Sequence, residues 1–212
     1  MMKIPGIGAY VLVSNRLDQK NEGEEVFMKN AQEIFEKFPE IDFGIYECPM
    51  PWKRLVSLDF LRQVAPQGRM VFLKDTCCDY ELIRERLKAV EGTPLKIFNA
   101  NAQSWFDSYC HGSAGYNGVM ANFHPDLYKW AYDHKDSDPE KARLVADFLT
   151  TAAMIEMRAY PVSAKYHQNL VDVPMSLVTR SADVAKLDKN ARGEVESLIA
   201  MENYVRKQLG IL

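Results

Sequence analysis

A lysine and a tyrosine, each closing a short apolar run, are the residues here whose type and spacing suit covalent chemistry. Phe43-Gly44-Ile45-Tyr46 leads into Glu47-Cys48-Pro49, and Met70-Val71-Phe72-Leu73-Lys74 leads into Asp75-Thr76. An ammonium at the end of an apolar run is costly to bury, because an apolar surrounding disfavours its charge. The same penalty lowers its pKa and makes the amine a nucleophile. If the two runs are neighbouring parallel strands, Tyr46 and Lys74 emerge at the same end of one sheet. A phenol beside a desolvated amine is a Schiff-base arrangement. The structural alternatives are a lysine that snorkels from the strand end to solvent and a core tyrosine with its hydroxyl satisfied.

The remaining reactive side chains point to less. Cys48, Cys77, Cys78 and Cys110 form no Cys-x-x-Cys pair, so neither a disulfide framework nor a zinc site is expected. Reduced thiols in a cytoplasmic protein fit this pattern. Cys77 and Cys78 read as small buried hydrophobes, with a reactive thiol near Lys74 as the other reading. Glu47 is a second acid/base candidate or a solvated loop carboxylate. His111, His124, His134 and His167 have no metal-ligand spacing. Gly6-Ile7-Gly8 lacks the third glycine of a dinucleotide loop. Trp105, Phe106 and Tyr109 share a helical spacing that suits core packing. Asn99, Asn101 and Asn117 end or flank predicted strands, where they read as loop caps or substrate contacts.

These residues sit in a chain of 212 residues, long enough for one domain with a substantial core or for two small ones. A hydrophobic share of 47% and a charged share of 26% are those of a globular protein. The net charge of −3 gives no electrostatic case for nucleic acid or an anionic membrane surface. No apolar run is long enough to span a bilayer, and the N-terminal Met-Met-Lys-Ile-Pro-Gly is not followed by the apolar segment of a leader.

Strand and helix signals alternate five times. Strands are predicted at Ala9–Val13, Phe43–Tyr46, Met70–Leu73 and Leu95–Phe98, with a weak fifth over Gly115–Met120, whose glycines lower its propensity. Helices are predicted over Asn21–Lys37, from a Ser57 cap to Pro66, from an Asp79 cap to Gly92, over Ala102–His111 and from Pro125. The crossovers suit parallel pairing, so the fold class is α/β. The C-terminal part is all helix, with segments starting at Asp138-Pro139, Val162 and about Asp188. The expected division is a strand–helix part over 1–136 and a helical extension over 137–212, packed as one unit.

With these elements placed, the sequence resembles the dihydrodipicolinate synthase/N-acetylneuraminate lyase family. Tyr46-Glu47-Cys48-Pro49 is similar to that family's strand ending Tyr-Asn-Val-Pro. Lys74-Asp75-Thr76-Cys77-Cys78-Asp79 is similar to its strand ending Lys-Asp/Glu, and the spacing of 28 from Tyr46 to Lys74 fits. Phe98-Asn99-Ala100-Asn101 lies where the family has a Ser-Gly-Asp turn. Gly115 to Asn122 falls where it has Gly-Val-Ile-Ser-Val-x-Ala-Asn. Ala159 to Lys165 resembles its Asn-Pro-Ile-Pro-Val-Lys helix start.

The resemblance implies a TIM (β/α)₈ barrel with a C-terminal helical extension and an active site at the carboxyl ends of the strands. It implies lyase or aldolase chemistry in which Lys74 forms an imine with an α-keto acid such as pyruvate and Tyr46 relays protons. Asn99, Asn101 and Asn117 become substrate-binding candidates. No metal or organic cofactor is implied, and a homo-oligomer is.

Several positions depart from the family pattern. Ser14-Asn15-Arg16-Leu17 stands where the synthase branch has Thr-Pro-Tyr-Tyr, so a second relay tyrosine is absent. The synthase arginine falls near Pro51, with Arg54 out of register. Asn117 replaces an aliphatic contact to pyruvate. The match starts at the family's fourth strand, so the Gly-Thr-Thr-Gly-Glu turn for the keto-acid carboxylate has no counterpart. These departures favour a different aldehyde partner, or a non-catalytic keto-acid-binding or assembly subunit. Five strands do not close a barrel. The chain is therefore expected to be a shortened product or fragment, or to complete its sheet through another chain.

Overall fold

The structure, a computed structural model, describes residues 5–211. Met1 to Ile4, part of the segment read above for a leader, lie outside the described residues, as does Leu212. Two compact units are present, one ending at Asn117 and the other starting at Gly118.

The first unit runs β1 (Tyr10–Val13), α1 (Ser14–Leu17), α2 (Glu24–Lys37), β2 (Phe43–Tyr46), α3 (Leu58–Val64), β3 (Met70–Asp75), α4 (Tyr80–Ala89), β4 (Lys96–Asn99), α5 (Trp105–Cys110) and β5 (Gly115–Tyr116). The strands form one sheet in the order β1-β2-β3-β4-β5, and every pair is parallel. This is the α/β alternation expected. The caps are those read from the sequence: Ser57 Oγ accepts from Phe60 N at 3.0 Å and Asp79 Oδ1 from Leu82 N at 2.8 Å. Each satisfies an orphan donor of its helix.

The two faces of the sheet differ. Phe43, Ile45, Leu73 and Ile97 point to the helices and pack with Phe27, Ala31, Phe60, Leu61 and Val64 in a dry core. Between the pairs Phe43–Met70 and Gly44–Phe72, β3 accommodates one extra residue, Val71. That irregularity lets Met70 and Leu73 both reach the helix side, where both are fully buried. The opposite face carries Gly44, Tyr46, Phe72, Lys74, Phe98 and Gly115 in neighbouring register positions. On it the Phe72 and Phe98 rings pack tilted, with centroids 5.1 Å apart, and are half-buried, while Val11 is 49% exposed. The glycines make room for these rings. A Cβ at Gly44 would stand 2.8 Å from Phe72 Cδ1, and one at Gly115 2.8 Å from Phe98 Cδ1.

The second unit is helical: α6 (Pro125–His134), α7 (Pro139–Ala152), α8 (Val162–Leu170) and α9 (Lys189–Leu209). Asp138 and Asp188 cap α7 and α9 through Lys141 N and Ala191 N. The division falls earlier than the expected 136. Only Gly115–Tyr116 pairs as a strand, and the chain then enters a 3-10 turn over Val119–Asn122. α6 packs against α7 and so belongs with the helices. No helix among the described residues is long and apolar enough to cross a membrane.

Candidate active site

Tyr46 is the last residue of β2, and its register partner Lys74 is the penultimate residue of β3. Both side chains lie at the carboxyl end of the sheet, on the face away from the helices. Lys74 Nζ sits over the Tyr46 ring, 4.4 Å from its centroid. The pair is in contact through the ring face. Both residues are half-buried. Burial holds the Lys74 ammonium below the ordinary lysine value, and Cys48 pulls the other way. The aromatic face attracts a cation but not a neutral amine, so it too opposes deprotonation.

Directly behind this pair lies a buried ion cluster. Glu47 follows Tyr46, Asp75 follows Lys74, and both point to the helix side, where neither is exposed. Arg86, also fully buried, reaches between them from α4. Its Nη1 donates to Asp75 Oδ2 and to Glu47 Oε2 at 3.2 Å, and its Nη2 lies 2.8 Å from Glu47 Oε1. Glu47 also accepts from Val56 N and Thr76 N, each at 2.7 Å. Thr76 Oγ1 donates to Glu47 O at 2.8 Å. Burial pushes the Glu47 carboxyl up, Arg86 opposes this, and Asp75 adds to it. Glu47 is thus neither a solvated loop carboxylate nor a rim acid/base. Arg86 was missed in the sequence, although its spacing with Ile83 and Val90 places it on the core face of α4. An arginine there requires buried acidic partners.

The loop after β2 is tied down from α1. Asn15 Nδ2 donates to Met50 O at 2.8 Å and to Trp52 O at 2.9 Å, and Ser14 Oγ donates to Arg54 O at 2.6 Å. Ser14 and Asn15, noted above as departures, build this loop. Arg54 faces away from Lys74: its Nη2 pairs with Glu24 at 2.9 Å, and its guanidinium lies over Phe27.

The three asparagines separate. Asn99 is buried, and Nδ2 donates to Ser104 Oγ at 3.0 Å and Ser108 Oγ at 3.2 Å, while Oδ1 accepts from Asn101 N at 2.7 Å. Asn101 Oδ1 accepts from Gln103 N and Ser104 N, and its Nδ2 donates to Gln103 Oε1. The polar atoms of both build the turn between β4 and α5. Asn117 differs: its N–H donates to Asn99 O at 2.8 Å, continuing the ladder past β5. The alternation of a strand then places it on the face that carries Lys74.

The thiols are not buried hydrophobes: Cys78 and Cys110 are exposed, and Cys48 and Cys77 are half-buried. Burial, with Asp75 beside it, pushes the Cys77 thiol up to about 12, which makes it a poor nucleophile. Gly6-Ile7-Gly8 precedes β1, at the opposite end of the sheet from Lys74. Trp105, Phe106 and Tyr109 are buried and edge-packed, as their spacing suggested. Among the described residues no group of three or more His, Cys, Asp or Glu could hold a metal ion.

No family model matches the sequence. Solved structures do resemble the chain. A monomeric dihydrodipicolinate synthase variant superposes with a TM-score of 0.80 at 16% identity, over 94% of this chain and 66% of that one. The chloride-inhibited dihydrodipicolinate synthase of Acinetobacter baumannii, complexed with pyruvate, gives 0.77 at 16%, over 93% and 67%. A prophage protein of the dihydrodipicolinic acid synthase family from E. coli K12, also in complex with pyruvate, gives 0.77 at 16%, over 93% and 67%. The chain thus has the fold of part of a TIM barrel of the dihydrodipicolinate synthase type, followed by that barrel's helical extension. It spans about two thirds of the length of the structures it matches.

Proposed function

We propose that this chain is a member of the dihydrodipicolinate synthase family and carries Schiff-base lyase or aldolase chemistry on an α-keto acid such as pyruvate. The observation that carries the reading is the contact of Lys74 with Tyr46 at the carboxyl rim of the sheet. The fold likeness and the pyruvate held by two of the matched structures support it.

In this reading the neutral Lys74 amine adds to the keto carbon. The carbinolamine loses water to give an imine, and the imine nitrogen draws the electron pair of an adjacent carbon–carbon or carbon–hydrogen bond. Tyr46 passes the protons that addition and dehydration require. Asn117 sits at a register position from which a bound keto acid can be contacted. Asn99 and Asn101 shape the neighbouring turn. Desolvation prepares the amine, and the keto acid displaces it from the ring face where its ammonium form rests.

A pyruvate titration followed by calorimetry, run with and without borohydride, tests this. Binding with covalent capture supports a catalytic site. Binding without capture is the behaviour of a non-catalytic keto-acid-binding subunit, and no binding removes the keto-acid reading.

A further inference from the structure

The buried cluster behind Lys74 does more than neutralise charge. Glu47 and Asp75 are each one peptide bond beyond Tyr46 and Lys74, and in a strand successive side chains point to opposite faces. A group that grips Glu47 and Asp75 on the helix side therefore governs where Tyr46 and Lys74 stand on the other. Arg86 is that group. Its fork reaches both carboxylates, and Nη2 also donates to Val56 O at 2.5 Å, so one guanidinium joins the ends of β2 and β3 to the loop between them. Glu47 extends the grip to the backbone through Val56 N and Thr76 N. The chain separation is long: Arg86 lies 39 residues from Glu47 and 11 from Asp75. A lysine offers a point charge rather than a planar fork and cannot hold both acids in this way.

We propose that Arg86 is the positioning residue of the Lys74–Tyr46 pair, clamping the two strand ends from the helix side so that the amine stays packed on the phenol ring. The inference rests on the Schiff-base reading and deepens it: Arg86 touches no substrate and acts through the backbone of residues 46–47 and 74–75.

The test is competitive acetylation across a pH series, with Lys74 read by peptide mass spectrometry against the exposed Lys29. In the unmodified chain burial holds the Lys74 midpoint below the ordinary lysine value. Arg86→Lys keeps the charge and loses the fork. Water then enters beside the amine, and the Lys74 midpoint rises toward the ordinary lysine value. A cooperatively melting Arg86→Lys variant with an unchanged Lys74 profile overturns the proposal. If that variant does not melt cooperatively, Asp75→Asn decides by sign. Loss of a nearby negative charge alone lowers the Lys74 midpoint, whereas release of the clamp raises it. A rise supports the proposal, and a fall or no change overturns it. Pyruvate–borohydride capture by the unmodified chain is scored separately. Its absence removes the Schiff-base reading, while the labelling profile still judges Arg86.

Discussion

Lys74 and Tyr46 are register partners on adjacent parallel strands, and the lysine nitrogen lies over the ring of the tyrosine. Two opposed effects meet there. Burial disfavours the ammonium, and the electron-rich ring face favours it. Burial and the ring face thus act on the same ammonium in opposite directions.

The phenol oxygen and the ring have separable roles. Tyr46→Phe retains the aromatic face under Lys74 and removes the proton carrier. The rate of pyruvate capture is expected to fall on the order of a hundredfold, while Lys74 still titrates below an exposed lysine. An unchanged capture rate would show that the ring alone matters.

The close approach of strands on the Lys74 face is built on glycine. Gly44→Ala places a methyl group 2.8 Å from Phe72 Cδ1, 2.9 Å from Phe72 Cβ and 3.1 Å from Phe72 O. The ring end can swing, but the Cβ and carbonyl oxygen move only with β3. A loss of roughly 1–3 kcal/mol in urea unfolding is expected, the range for overpacking a filled site. A neutral result would mean that β3 shifts freely.

Acid stability in the helical unit should depend on Glu202. Burial works to raise its carboxyl, but His124 Nδ1 at 2.7 Å and His167 Nε2 at 3.0 Å hold it at about 2, below its ordinary 4.5. A depressed folded-state pKa gives stability that is fully present above the unfolded value. It is lost as pH falls from about 4.5 toward 2. Glu202→Gln should flatten the stability of the chain in that window, as followed by urea midpoints at several pH values. An identical acid slope in the variant would contradict this.

Much of the fold was legible because its signals are local. The Phe43–Tyr46 strand, the Ser57 and Asp79 caps and the start of α6 at Pro125 each follow from a few adjacent residues. The pairing of Tyr46 with Lys74 followed from parallel alternation and a family pattern. What escaped was set by distant partners. Arg86 meets Glu47 across 39 residues, so only its place on the apolar face of α4 hinted at a buried ion pair. His124 and His167 have no ligand spacing, yet both close on Glu202, 78 and 35 residues away. Asn99 and Asn101, read from the sequence as loop caps or substrate contacts, bond locally to Ser104, Ser108 and Gln103. The unit division moved from 136 to 117 because β5 pairs over two residues only.

The most direct measurement is intact-mass and peptide mapping after incubation with pyruvate and borohydride. The expected result is one reduced pyruvyl adduct, located on Lys74 and abolished by Lys74→Ala. Unmodified protein, or an adduct that persists in Lys74→Ala, would contradict the assignment of Lys74 as the imine-forming residue.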